Sequence, residues 1–443
     1  MACAVLGITL AGLDSAIANI ALPTIARALQ TSDAAAIWVV NSYQLAVTIC
    51  LLPAATLGQS FGLRRVYGFG LAVFTLASLA CALSPTLPVL VAARLLQGLG
   101  GACMSALGGA LVRRIYPRAQ LGRGYAGIAL AVALSAALGP TVAALVLSVA
   151  TWPWLFLVNV PLGLVAVPLF LAKAPRDTTR PRAFDWLGAL LNAGAFGLIV
   201  TGVDGLGGGA PGIAGMEVLA GLVCGTLLVW QQSRRPEPLL PLDLLRIPLF
   251  ALSIVTSVCS YAAQILAYLS LPFLFQVVMH RTAVATGLLV TPWPLLVAVA
   301  APVAGRLTSR YPAAVLGSAG MAVLFVGMML LATMSDAPAD WDVAWRMGVC
   351  GIGFGFYQTP NNLTLMTAGP PERSGAASGM MAVARTVGWS LGSALVALIF
   401  GLYGAAGAVT CLWAGAAFAA VGAVVSLSRG ATGGAARGRV GAG

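Results

Sequence analysis

Charge is what this sequence has least of. Of 443 residues only 8% are Asp, Glu, Lys or Arg, against 60% hydrophobic, and mean hydropathy is +0.95. A soluble domain needs roughly a quarter charged residues to cover a water-facing surface, so a soluble globular fold is excluded. The single histidine, His280, cannot build a metal site alone. The eight cysteines lie in apolar runs without metal-ligand spacing and read as small, reduced packing residues. No Walker-type phosphate loop occurs, so ATP-driven work by this chain has no support. No Ser/His/Asp or Cys/His arrangement for covalent catalysis is present either. The chain is not expected to be an enzyme or to carry a cofactor. The first apolar run has no basic leader and is followed by many more, which argues against a cleaved signal peptide. The chain begins almost inside that run, leaving room for a missing cytoplasmic leader.

What the chain has instead is apolar runs of roughly 18 to 25 residues, the length of a membrane-crossing helix. Fourteen are expected, near 2–24, 38–57, 66–83, 88–111, 124–147, 154–172, 186–204, 215–231, 249–275, 285–304, 313–333, 344–366, 376–400 and 407–427. Nineteen of the 24 basic residues fall after even-numbered spans or in the tail. By the positive-inside rule, both termini are cytoplasmic. The net charge of +12 is thus explained by topology and does not call for nucleic acid.

Acids are scarcer than bases, and Asp14 stands mid-helix in Leu13-Asp14-Ser15-Ala16-Ile17-Ala18-Asn19. Charging a carboxylate at bilayer depth costs at least ~2.5 kcal/mol, which makes it a functional candidate. Arg94 and Arg385 also fall well inside spans. At the helical rise, Asp14 and Arg94 reach similar depths, so they can pair. The amides Asn19, Gln44, Gln97, Gln264, Gln358, Asn361 and Asn362, with Tyr43, are candidates for a substrate cavity; interhelical packing is the competing role for each. Gly98-x-Gly100 recurs as Gly351-x-Gly353, and Gly139 as Gly392, all at an offset of 253. That spacing suggests duplicated halves: residues 1–172 and 249–427, with two extra helices in 173–248 and a disordered cytoplasmic tail, 428–443.

Several stretches resemble a known family. Leu13 to Pro23 is similar to its first-helix signature, and Trp38-Val39-Val40-Asn41-Ser42-Tyr43 to its second-helix start. Arg94-Leu95-Leu96-Gln97-Gly98-Leu99-Gly100 fits the Arg-x-x-Gln-Gly-x-Gly motif, Gly139-Pro140 the fifth-helix antiporter motif, and Trp154 to Gly163 the sixth-helix entry. The chain resembles a major facilitator superfamily transporter, specifically a fourteen-span drug:proton antiporter of the EmrB/QacA type. The resemblance implies an all-α polytopic fold of two six-helix halves plus two inserted helices, in the bacterial cytoplasmic membrane. It implies proton-coupled export of drugs or other amphiphiles by alternating access, energised by the proton gradient. Asp14 and Arg94 would then couple protons, while Gln59, Gly62, Arg64, Arg65, Gly139, Pro140 and Arg385 would gate. Partners would be a small-molecule substrate, protons and lipid, with the chain a monomer. One embedded acid favours lipophilic monocations or neutral amphiphiles over dications.

Three departures from the family pattern stand out. Gln59 and Ser309 occupy positions where aspartates are usual, so the cytoplasmic latch is expected to be weaker. The antiporter motif is eroded, with Ser135 before it and Ala143-Ala144 after it. That keeps a proton-coupled importer or metabolite facilitator open, beside a non-transporting membrane sensor or scaffold.

Overall fold

The structure is a computed structural model that describes residues 2–115, 134–135, 138–174, 184–206, 211–235, 242–335, 337–370 and 373–440. The start of the expected fifth span lies outside these residues, as do Arg118, Arg123, Arg176, Arg180 and Arg182. The described residues form an all-helical, multi-pass bundle. Its membrane-length and shorter apolar helices are α1 (Ala2–Ala28), α2 (Trp38–Phe61), α3 (Leu63–Ala82), α4 (Leu87–Ile115) and α5 (Leu138–Val149). Next come α6 (Asn159–Lys173), α7 (Trp186–Gly205), α8 (Pro211–Ser233), α9 (Pro248–Phe273) and α10 (Pro292–Leu307). The last four are α11 (Ala313–Ala332), α12 (Asp340–Thr367), α13 (Ser374–Tyr403) and α14 (Ala408–Val440).

Local chemistry sets several boundaries. Gly62 adopts φ 106°, which L side chains rarely reach, so α2 and α3 join with one residue between them. Proline opens α9 and α10 at the first helical turn, where its missing N–H costs nothing. Asp185 caps α7 by accepting from the Gly188 N–H.

The offset of 253 reappears as packing. A Cβ on Gly98 would meet the Tyr43 carbonyl at 2.6 Å, and one on Gly351 would strike the carbonyl of Trp293. Gly100 lies against Gly70 and Phe74, as Gly353 does against Gly320 and Leu324. The helices they touch are related by an offset of 250, so α2, α3 and α4 pack together as α10, α11 and α12 do. Helices α7 and α8 pair with each other, and α7 also packs on α2 and α13. Asn192 of α7 donates to the Ile49 carbonyl at 2.9 Å, and Trp38 Nε1 donates to Asp204 Oδ2 at 2.8 Å.

The cores differ at the two ends of the bundle. Toward the Ala28 end of α1, one apolar core runs through both halves, from Ile17, Ile25 and Val39 to Leu266, Phe273 and Trp293. Toward the Phe61 end of α2, each half has its own buried core, with half-buried Ala382 and Val383 of α13 packed against that of the first half. One gathers Leu10, Tyr67, Leu107 and Phe170 in the first half, and another Phe250, Leu365 and Met380 in the second. Hydrogen bonds across the halves follow the joined core. Gln276 donates to the Ile20 carbonyl at 2.9 Å and accepts from Thr24 at 3.3 Å, while Thr141 meets Thr291 at 3.0 Å. At mid-depth, Thr48 Oγ1 lies 2.9 Å from Ser390 Oγ.

Candidate functional site

Asp14 on α1 and Arg94 on α4 meet. An Arg94 Nη donates to Asp14 Oδ2 at 2.5 Å, with Asp14 2% exposed and Arg94 0%. The matched depths inferred from helix length are therefore realised as a buried ion pair. Removing two charges from water costs several kcal/mol per ion, and only further hydrogen bonds make such burial tolerable. Those bonds are present. Gln97 Nε2 donates to Asp14 Oδ1 at 2.9 Å, and its Oε1 accepts from Arg94 at 2.6 Å. Gln97 lies one turn beyond Arg94 on α4, so a single amide serves both charges. Arg94 Nε donates to the Val39 carbonyl at 2.8 Å. Its guanidinium stacks 4.4 Å from the Tyr43 ring and 5.5 Å from Phe156.

Asn159 completes the arrangement, donating to Asp14 Oδ1 at 2.8 Å from the first residue of α6. It was not among the sequence candidates. Its signal lay in the sixth-helix entry, where one amide follows the apolar run Trp154–Val158. Ser78 of α3 was also missed; it accepts from Gln97 at 2.8 Å. One carboxylate thus links α1, α4 and α6, with α3 reached through Gln97. The duplication does not repeat it. At the offset of 253, Arg94 becomes Met347 and Gln97 becomes Cys350, both buried.

The remaining candidates separate into groups. Gln97 and Tyr43 belong to the charge site, where they contact Arg94, and not to an open cavity. Asn361 is likewise a packing residue: fully buried, it donates to Ser257 at 2.8 Å and accepts from Arg429 at 2.6 Å. Arg429 was assigned to a cytoplasmic tail, yet it is buried within α14, which continues to Val440. The apolar run ends at Leu427, but the helix does not, and Ser253, Asn361 and Ser426 receive the guanidinium. Asn19 and Gln44 are buried, Asn19 with an Oδ1 that finds no donor. Gln264, Gln358, Asn362 and Arg385 are half-buried in the second half.

The gating candidates are spread along the bundle. Gln59 is exposed at the Phe61 end, beside Gly62 and Arg65, and Arg64 donates to the Leu171 carbonyl at the end of α6. Gly139 packs on Ala16 of α1, and the Pro140 carbonyl lies where a Cβ on Gly287 would fall, in the short helix Ala283–Val290 that precedes α10. The eroded antiporter motif therefore still supports close contact between α5 and both neighbours.

The sequence matches the Major Facilitator Superfamily over residues 4–393. The chain belongs to that superfamily. Among curated superfamily relatives, it is 49% identical over 426 residues to the uncharacterized transporter YebQ of Escherichia coli K12, covering 95% of this chain and 93% of that one. It is 35% identical to multidrug resistance protein Stp of Mycobacterium tuberculosis CDC 1551, covering 88% and 73%. The fold is shared with a crystal structure of a POT family transporter in complex with a thioalcohol-conjugated peptide. That match has a TM-score of 0.72 at 14% identity and covers 97% of this chain and 96% of the other. As a superfamily member, the chain is a multi-pass membrane transporter.

Proposed function

We propose that this protein is a proton-coupled exporter of amphiphilic small molecules, of the fourteen-span drug:proton antiporter type. The observation that carries this reading is the buried Asp14–Arg94 pair with its amide shell. A proton arriving on Asp14 removes the negative half of the pair and leaves Arg94 held by Gln97, Val39 and the aromatic rings. The tie between α1, α4 and α6 is then weakened, and the cost of burying a lone cation favours a rearrangement that rehydrates it. Such a change biases one half against the other, as alternating access requires.

In the proposed topology both termini are cytoplasmic, within the bacterial inner membrane, and the Ala28 end faces outward. The joined core and the Gln276 and Thr291 contacts support an outward-closed state. Stp is named a multidrug resistance protein, which supports drug-like substrates. No cofactor is proposed beyond the proton gradient itself.

The test is proton-linked uptake into inside-out vesicles across a panel of dyes and drugs, with wild type and Asp14→Asn compared. Wild-type vesicles should accumulate at least one compound when the lumen is acidic, and Asp14→Asn should not. Absence of proton-linked accumulation for every compound rejects the export reading, and unchanged transport in Asp14→Asn rejects the coupling role.

A further inference from the structure

The second half contains a polar patch that the Asp14 site does not use. On α13, the Arg385 guanidinium carbon lies 5.5 Å from the Trp389 ring. Trp389 Nε1 donates to Gln264 Oε1 of α9 at 3.2 Å, and its ring meets Tyr261 edge-on at 5.8 Å. The Tyr261 hydroxyl accepts from Gln358 Nε2 of α12 at 3.2 Å. Three helices therefore converge on one patch near the middle of the bundle. Arg385, Trp389, Gln264 and Gln358 are half-buried, so the patch is reachable.

Its charge is uncompensated. Arg94 and Arg429 are held by hydrogen bonds, and Arg346 by Asp342. Among the described residues, Arg385 makes neither a hydrogen bond nor an ion pair, and its buried Nε has no acceptor. The sequence supplies no nearby acid. No Asp or Glu occurs between Asp243 and Asp336, between Asp342 and Glu372, or after Glu372. Asp14 in the other half, and Asp185 and Asp204 at the two ends of α7, are already engaged. A guanidinium at membrane depth without a counter-charge is costly, and it makes a strong two-pronged donor to a carboxylate or sulfonate. Trp389 supplies an adjacent ring on which a flat body can stack. With Gln264 Oε1 occupied by Trp389, the amide group left on Gln264 is also a donor.

We propose that Arg385, Trp389 and Gln264 form the substrate-recognition subsite, and that it takes amphiphiles with a planar aromatic body and an anionic group. The anion pairs with Arg385 and the ring lies on Trp389. This rests on the transporter reading above and reverses the charge expected from a single embedded acid.

The experiment is calorimetric binding of 2-naphthoate and 2-naphthylmethylammonium to the purified full chain in detergent micelles. A charge-assisted bond is worth enough that naphthoate should bind wild type about tenfold or more tightly than the ammonium. Arg385→Gln should lose about that factor for naphthoate and little for the ammonium, whereas Arg385→Lys should keep most of it. Equal binding of the two probes, preference for the ammonium, no naphthoate binding, or an unchanged Arg385→Gln overturns the proposal. Melting curves accompany each variant, and the wild-type preference decides the matter by itself if Arg385→Gln does not fold. Proton-linked vesicle uptake is measured separately. Its absence with naphthoate binding intact rejects the export reading and leaves the subsite standing.

Discussion

Asn159 and Gln97 donate to the same oxygen of Asp14, at 2.8 and 2.9 Å, from two different helices. The carboxylate is therefore a joint between α4 and α6 as well as an ion-pair partner. Replacing Asn159 with Ala leaves a buried carboxylate short of one donor, at a cost of about 1–3 kcal/mol. A lower melting temperature with impaired proton-linked uptake is the expected result. Asn159→Asp, which places a second carboxylate beside the first, should be worse than Ala on both measures.

Arg94→Leu should be among the most damaging single changes, because it strands a buried carboxylate, worth about 3–5 kcal/mol. The double variant Asp14→Asn, Arg94→Leu removes both charges and should be more stable than the sum of the singles implies. Thermal unfolding of the four proteins in one detergent measures the coupling. The double variant should still fail to accumulate substrate, since stability and coupling are separate properties of the pair.

The paired glycines make a symmetric prediction. Gly98→Ala forces a Cβ against the Tyr43 carbonyl, and Gly351→Ala forces one against the Trp293 carbonyl. Backbone on the receiving side cannot swing away, so each should cost about 1–3 kcal/mol. Comparable losses of melting temperature in the two halves would match the shared packing; a neutral Gly351→Ala would contradict it.

At the Ala28 end, Gln276 holds the Ile20 carbonyl and the Thr24 hydroxyl across the halves. Gln276→Ala should loosen that closure and move the population toward a state open at this end. Spin labels on α1 and α9 near these residues would report it as a longer distance in pulsed dipolar measurements, with wild type as the reference.

Outside the spans, Asp185 offers a pH handle. Burial acts to raise its carboxyl, but hydrogen bonds from Gly188, Gln232 and Gln231, with Arg235 nearby, outweigh that and hold it below its ordinary value. A carboxylate lowered on folding stabilises the protein above its unfolded value, ~3.9. That contribution is lost as pH falls through the folded value. Melting temperature should therefore fall faster with acid in wild type than in Asp185→Asn, and the two curves should converge at low pH.

Much of the site could be read from residue types and depth. Asp14 and Arg94 were conspicuous because charge inside an apolar run is expensive, and the helical rise alone put them level. Gln97, one turn from Arg94, was visible as an amide but not as the residue touching both charges. Asn159 escaped because it opens a helix, where an amide also serves as an ordinary boundary residue. Arg429 escaped for the opposite reason. A basic residue just past an apolar run reads as a cytoplasmic anchor, and only the continuation of α14 past Leu427 brings it into the interior. The contact of α7 with α2 and α13 left no trace in composition, because helix pairing in a bilayer is decided by surface shape.

The 80 residues separating Asp14 from Arg94 also set a schedule for biogenesis. A ribosome adding ~5–20 residues per second needs roughly 4–16 s to make that interval. For that time α1 sits in or beside the translocon with an acid whose partner does not yet exist. Its first helix therefore enters the membrane on terms set by the translocation machinery and only later becomes fixed, when α4 arrives with Arg94. Asp14→Leu should thus insert α1 more readily while yielding a transporter that lacks the carboxylate tying α1 to α4.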